Sequence, residues 1–446
     1  MNIKPIAIAL ALSAISAPLY AQDGKYYSLN EIIELAVLQD HGLSQINSTV
    51  LSLKETGMAS STLMDPKMKI GVGGLPVDSF QFDADPMTNI SIGLAQQFSR
   101  GSTLDLSQQR LEQQSQVVEQ QLQLRKLDIA KNITRQWIEL QYLERANQLT
   151  EEMSDLMGDM TTFIQTNYSL GKSEAQDLLF AEMQVSKFDE KLQQNQQMQQ
   201  RVRTQLSEWV GIEYVENIDI GQQLSLNWTN IKAQLSQLPE NTTHFYDLLT
   251  QHPKVLAADK NILTKETQVR ITEEAYAPQF GVEVGYAYRQ SNGMNGKPAS
   301  DLVSAYLTMD IPLFTDKRQD RTHAAAQYQV GAAKSQKDLL LVQMNAQVNT
   351  LIIDKSNLEQ RIERYQSVLI KQAHNRTKAI ERGYENNTVQ FNELILATRD
   401  ELTMAIEEAK LLSDLDKTMN QLAYTLNRYD QNIVELSVDM ASREKK

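Results

Sequence analysis

Two stretches of this sequence, 101–167 and 316–383, contain no proline, and they set the terms for the rest of the chain. Read as single helices at 1.5 Å per residue, each is roughly 100 Å long, against a mean of about 11 residues for a helix in a globular protein. Such a helix needs apolar partners along its whole course. The flanking segments supply them. Segments 29–63 and 173–210, stacked end to end, approximate one long helix, as do 243–276 and 388–428. The composition agrees, since Gln, Leu, Glu, Ala and Lys dominate these stretches and only 18 Gly and 10 Pro are spread over 446 residues.

The helical pattern occurs twice. An offset of 216 residues pairs Phe98 with Phe314, Tyr168 with Tyr384, Asp177 with Glu393, Ala181 with Ala397 and Leu206 with Leu422. Upstream the offset slips by a few residues, so that His41 matches His252 and Asp65-Pro66 matches Ala277-Pro278. The chain therefore reads as an internal two-fold repeat. The first copy is 22–241, with a β-hairpin at 65–98, a long helical hairpin at 100–210 and a connecting segment at 211–241. The second is 242–446, with a β-hairpin at 278–314, a helical hairpin at 316–428 and a C-terminal tail. The turns carry helix punctuation. Gly171 suits a left-handed helix end, and Ser173 to Gln176 and Asn387 to Gln390 read as capping boxes for the helices that follow. His41 and His252, beside Gly42 and Pro253, mark a bend.

Four short stretches alternate with period two: 67–73, 89–96, 280–288 and 303–311. One face carries Met68, Ile70, Val72, Ile90, Ile92, Leu94, Val282, Val284, Leu307 and Met309; the other carries small and polar residues. This is the pattern of a membrane barrel strand, although a half-buried strand of a soluble sheet shows it too. Phe98 and Phe314 close both hairpins, where an aromatic interface belt would lie. Loops 75–87 and 291–300 are longer and polar, as outward-facing barrel loops are. Four strands cannot close a barrel. Open edges cannot face lipid, and at least eight strands are needed, so a barrel here requires more than one chain.

Other readings are excluded by composition. Lys and Arg number 43 against 56 Asp and Glu, a net charge of −13, and no basic stripe with interleaved aromatics is present, so nucleic acid is not an expected partner. Cysteine is absent, which removes disulfides, thiolate ligands, a cysteine nucleophile and lipidation at a thiol. Histidines 41, 244, 252, 323 and 374 have no ligand spacing, so no metal site is expected. No hydrolase, phosphate-loop or dinucleotide signature falls in a suitable context, so neither catalytic residues nor a cofactor are expected, and the chain does not read as an enzyme. Residues 1–21 read as a secretory signal peptide, with Lys4, an apolar run from Ile6 to Ile15, and Pro18 to Ala21 before the cleavage point. No other stretch holds the roughly 18 uninterrupted apolar residues of a membrane helix.

The duplicated half, the β-hairpins between long helices, Tyr168-Ser-Leu-Gly171, Tyr384-Glu-Asn-Asn387, Ala277-Pro278-Gln-Phe-Gly-Val282 and Asp310-Ile-Pro312-Leu-Phe314 together resemble the TolC family of outer membrane factors. The resemblance covers essentially the whole chain after the signal. It implies a mainly α chain with a β-barrel part: a homotrimer with a twelve-stranded barrel in outer membrane lipid above a long periplasmic α-helical barrel. It also implies an exit duct of a tripartite efflux system, fed by an inner-membrane pump of the resistance-nodulation-division or ABC class through a periplasmic adaptor. Segment 211–241 and the tail after Tyr429 would form an equatorial belt. Loop Gly74 to Met87 resembles members that serve heavy-metal pumps, which makes metal cations one expected cargo. Drugs or secreted proteins are the alternative cargo, and a soluble periplasmic coiled-coil scaffold is the remoter alternative. By the same resemblance the periplasmic gate falls to Asp177, Glu393, Tyr168, Tyr384 and Arg382. The family's second gate acid is Leu396 here, and Arg382 is offset from the family's arginine. Adaptor docking falls to Leu170, Gly171, Lys172 and Ser173 at one turn and Asn386, Asn387 and Thr388 at the other.

Overall fold

The computed structural model describes residues 27–216, 226, 228–237, 243–293 and 296–429. The signal peptide, most of the connecting segment after 216 and the tail after Tyr429 lie outside the described residues. Helices α1 (Leu29–Gln39) and α2 (His41–Ser60) precede strands β1 (Lys67–Gly73) and β2 (Asn89–Gln97), followed by α3 (Thr103–Ser169) and α4 (Ala175–Val210). Short helices α5 (Ile212–Val215), α6 (Thr229–Ser236) and α7 (Tyr246–Leu249) lead to α8 (Pro253–Glu274). Strands β3 (Gln279–Tyr288) and β4 (Leu302–Asp310) follow. Helix α9 (Gln319–Arg364) then passes through a π-turn (Tyr365–Leu369) into α10 (Ile370–Glu385), and α11 (Phe391–Thr425) completes the order.

Helix α3 alone is 67 residues long, which at 1.5 Å per residue is roughly 100 Å. Its partners change along its length. Near the sheet, Gln113 accepts a hydrogen bond from the Thr267 hydroxyl of α8 at 2.8 Å, and Gly57 of α2 sits against Leu111. Farther down, Asn195 of α4 donates to the Leu143 carbonyl at 3.1 Å, and Lys417 of α11 pairs with Glu139 at 2.6 Å. The second long helix is arranged alike. Lys334 and Lys337 of α9 pair with Glu266 and Asp259 of α8, and Arg376 of α10 pairs with Asp400 of α11 at 2.9 Å. Short helices stacked end to end thus flank each long one.

The helical stretch 29–63 is divided at Asp40, at the bend expected beside His41 and Gly42; the Asp40 carboxylate caps the Leu43 amide of α2 at 2.7 Å and receives Arg125 of α3 at 2.7 Å. Burial works against that charge, but the Arg125 and Leu43 hydrogen bonds hold the Asp40 carboxyl below its ordinary value. Gly42 leaves the room. A Cβ there would stand 2.9 Å from the Asp40 carboxylate and 3.1 Å from Arg125 Nε. The counterpart bend is at His252, which caps α8 by accepting the Lys254 amide at 3.2 Å, with Pro253 opening the helix.

Two cores mirror each other. One gathers Ile32, Ala36, Ile129, Ile133, Trp137 and Leu206; the other gathers Ile231, Leu249, Val255, Val348, Leu422 and Leu426. Leu206 and Leu422, which match across the repeat, are both fully buried. Trp228, just before α6, donates its indole N–H to Asp416 of α11 at 2.8 Å and fastens this segment to the second core.

The four strands form one antiparallel sheet in the order β1-β2-β3-β4. Register pairs Ile70 with Ile92, Ile92 with Tyr286, and Tyr286 with Val303, so the apolar positions of all four strands fall on one face. Nothing in the described chain covers that face: Ile70 is 70% exposed, Val303 76% and Leu307 74%. The opposite face carries Ser91, Gly93, Ala95, Gly285, Ser304 and Thr308, crossed by a Lys69–Glu283 ion pair. A soluble half-buried sheet would hide its apolar face; this sheet leaves it bare. Among the described helices none is long and apolar enough to cross a membrane.

Candidate functional site at the helical hairpin tips

Both long helices end in the same turn. In α3 the Gly171 amide donates to the Tyr168 carbonyl at 2.9 Å and the Lys172 amide to the Asn167 carbonyl at 2.8 Å, with Gly171 at φ +72°. In α10 Asn387 donates to Tyr384 at 2.9 Å and Thr388 to Gly383 at 2.8 Å, with Asn387 at φ +56°. These are Schellman ends, with glycine in one copy and asparagine, the residue that best tolerates this conformation after glycine, in the other.

The expected capping boxes do not form. The residues that open α4 and α11 are Glu174 and Gln390, and neither side chain makes a capping hydrogen bond. Ser173 falls in the linker between Lys172 and Glu174, Asn387 is itself the left-handed residue of its turn, and the Thr388 hydroxyl closes the preceding helix, donating to Gly383 at 2.9 Å. Asp177 and Glu393 keep equivalent places in the first turns of α4 and α11, where the helix dipole favours a negative charge.

The two tips lie side by side over a shared apolar cluster of Met157, Ile164, Ala181, Phe188, Phe391 and Ile395. Between them opens a cleft of about 760 Å³. Its floor is aromatic, with the Tyr384 ring 6.4 Å from Phe163 and 5.6 Å from Phe391. Its rim carries Lys172, Glu174, Asp177 and Asn387. Burial, and then the nearby Asp177 charge, push the Tyr384 hydroxyl above its ordinary pKa, so it stays a neutral donor.

Of the sequence-selected residues, Asp177, Tyr384, Lys172, Ser173 and Asn387 meet at this cleft. Glu393, Arg382 and Tyr168 lie outside it on exposed surface, as do Leu170, Gly171, Asn386 and Thr388 at the turns. Tyr168 is 46% exposed, so the two matched tyrosines occupy unlike places. Among the described residues Arg382 has no ion-pair partner; its carbonyl accepts from the Asn386 side chain at 2.8 Å. Leu396, one turn after Glu393, is half-buried. Sequence reasoning missed Phe163, Phe180 and Phe391, because an aromatic residue at helical spacing reads first as core. It also missed the polar rungs that tie α10 to α11: His374 with Glu401, Arg376 with Asp400 and, at the π-turn, Tyr365 with Glu407. Among the described residues no three His, Asp or Glu side chains converge as metal ligands do.

No protein-family model and no curated sequence matches this chain. Its likeness is to solved structures. CusC, studied for conformational changes accompanying folding and transmembrane channel formation, superposes with a TM-score of 0.71 at 13% identity, over 89% of this chain and 91% of CusC. The outer membrane protein VceC of Vibrio cholerae gives 0.71 at 15% identity, over 89% and 95%. The open state of the MtrE outer membrane channel of Neisseria gonorrhoeae gives 0.68 at 11%, over 90% of each chain. At such identities the likeness shows a shared fold, and the fold is the TolC-like one.

Proposed function

We propose that this chain is the outer membrane exit duct of a tripartite efflux system, working as a homotrimer and performing no catalysis. The observation that carries the reading is the sheet. Its apolar face is bare, both its edges are open, and it stands on helices about 100 Å long. Lipid satisfies the bare face, and further copies satisfy the edges, since unpaired strand groups are not tolerated in hydrocarbon. Three copies of four strands make a barrel of twelve, with the small and polar face turned to a water-filled lumen.

The helices then span the periplasm, and the hairpin tips are the end that meets an adaptor carrying substrate from an inner-membrane pump. Docking residues are Leu170 to Ser173 and Asn386 to Thr388. The cleft between the tips, with its aromatic floor and polar rim, accepts an inserted side chain of the adaptor. Asp177 and Glu393, repeated in each copy, place carboxylates around the narrow mouth and favour cations there. Tyr168, Tyr384 and Arg382 are the remaining gate residues, with Tyr384 holding the tips together from within the cleft.

Growth of a deletion strain tests the reading. It is measured across copper, silver, zinc, cobalt and cadmium, beside dyes, detergents and antibiotics. Sensitivity rescued by the wild-type gene, and not by a variant altered at both tip turns, supports the duct. Selective metal sensitivity assigns heavy-metal cations as cargo; sensitivity to drugs and dyes alone replaces that cargo and keeps the duct. A chain that stays soluble on fractionation and never pellets with outer membranes overturns the duct in favour of a periplasmic scaffold.

A further inference from the structure

A second recess, of about 240 Å³, lies between α3, α8 and α9. That is more than a phosphate group needs and less than the roughly 300 Å³ at which drug-sized sites begin. Arg110 of α3 and Lys265 of α8 line it, with Gln268 and Gln329, and no carboxylate does. In a chain with 56 acidic and 43 basic residues, a recess lined by two cations and no acid stands out. Neither cation has an ion-pair partner among the described residues, whereas Lys334 and Lys337 nearby are both paired. The Arg110 Nε is buried and makes no hydrogen bond, and among the described residues it is the only buried unpartnered atom of an arginine or lysine. A buried guanidinium N–H without an acceptor is costly and calls for one.

The donors define the ligand. The hydroxyls of Thr264, Thr272 and Thr322 are spent on the carbonyls of Lys260, Val269 and Arg318. What remains free to donate is the Arg110 guanidinium, the Lys265 ammonium and two glutamine amides. That set suits a compact anion rich in acceptor oxygens, and arginine is the side chain best matched to phosphate. A cation finds no carboxylate there, and an apolar ligand would leave the Arg110 Nε unpaired.

The level of the recess points to the source. Arg110 lies seven residues into α3, roughly 10 Å along the helix from its sheet-side start, Thr272 is in the last turn of α8 before β3, and Thr322 is in the first turn of α9 after β4. On the proposed reading the sheet spans the hydrocarbon layer, and the headgroup layer begins within several Å of its lower end. We propose that Arg110 and Lys265 form a phosphate-binding site at the foot of the barrel, which holds the phosphate of a phospholipid headgroup from the periplasmic leaflet.

The test uses the full chain purified in a non-ionic detergent. Native mass spectrometry counts adducts of phosphatidylglycerol and phosphatidylcholine, and calorimetry measures binding of inorganic phosphate. The wild type is expected to retain phospholipid, and Arg110→Gln/Lys265→Gln to bind it about tenfold or more weakly, with Arg110→Lys between them. Arg270→Gln, on another face of α8, and an unchanged oligomeric state are the controls. Phosphate binding with the same dependence on the two cations, without lipid adducts, keeps the anion site and replaces the headgroup by the free ion. Adducts and phosphate binding both indifferent to the double variant overturn the site. The calorimetric arm needs no membrane, so it separates failure of this site from failure of the duct reading.

Discussion

His252 is fully buried where α7 gives way to α8, its ring edge-on to Tyr424 at 5.6 Å and its Nδ1 accepting the Lys254 amide. Burial first, and the Lys254 charge second, lower its pKa to about 4. Lys131 and Lys254 lie over the same Tyr424 ring, at 4.2 and 5.7 Å, so a third cation is unwelcome. The folded form therefore binds the proton less readily than the unfolded chain. Stability is full above about pH 6.5 and falls as pH drops toward about 4, by roughly 3 kcal/mol in all. Denaturant titrations at pH 7.5, 5.5 and 4.5 check this: His252→Asn, which keeps a capping oxygen and cannot titrate, should flatten the fall. A slope unchanged in the variant would assign the acid sensitivity elsewhere. The tip turns offer a second comparison. Gly171→Ala should cost about 1 kcal/mol, because φ +72° is strained for any side chain, while Asn387→Gly should change stability by no more than about 0.5 kcal/mol. Thermal melts of the two variants side by side decide it.

At the scale of elements, α3 and the run from α9 through α10 cover the same number of residues and begin and end at the same offset, yet only the second contains a π-turn. A π-turn fits an extra residue into one turn, and with equal length the faces beyond it fall out of step. Ile164 of α3 is fully buried, whereas its match Ile380 is half-buried. Deleting Ser367 within the π-turn should regularise the helix and leave the tip packing in place. Deleting the matched Glu151 in α3 should rotate the tip by about 100° and release its cluster. Far-ultraviolet dichroism with protease sensitivity at the tips distinguishes the two. Nothing in Tyr365-Gln-Ser-Val-Leu369 announces the π-turn, since it holds neither proline nor glycine; beside it the Tyr365 hydroxyl donates to Glu407 of α11. The strands were legible because period two leaves a mark at every residue. The bend beside His41 and Gly42 was legible too, but the clamp that makes it was not, because Asp40 is held by Arg125, which lies 85 residues away. Ser173 and Asn387 matched a capping box locally, but the left-handed helix end, at Gly171 in one copy and at Asn387 itself in the other, moved the start of the next helix to Glu174 and Gln390. The aromatic floor of the cleft was hidden for a related reason: it joins side chains from both halves of the chain.

For the whole molecule the sheet decides the outcome. A lysine at Val284, on the bare apolar face, should cost about 2–4 kcal/mol of insertion if that position lies near mid-membrane, whereas a lysine at Ser304 on the opposite face should be borne far better. Outer-membrane fractionation and detergent-resistant oligomers on gels compare the two. Equal loss from both would remove the assignment of faces. The open edges at β1 and β4 carry a genetic consequence. In the trimeric duct proposed above no copy closes its own pore, so a copy with a ruined edge does not merely fail: it is built into assemblies alongside sound ones and spoils them. Edge-strand alleles of this gene should therefore act dominantly over the wild type, while complete deletions act recessively.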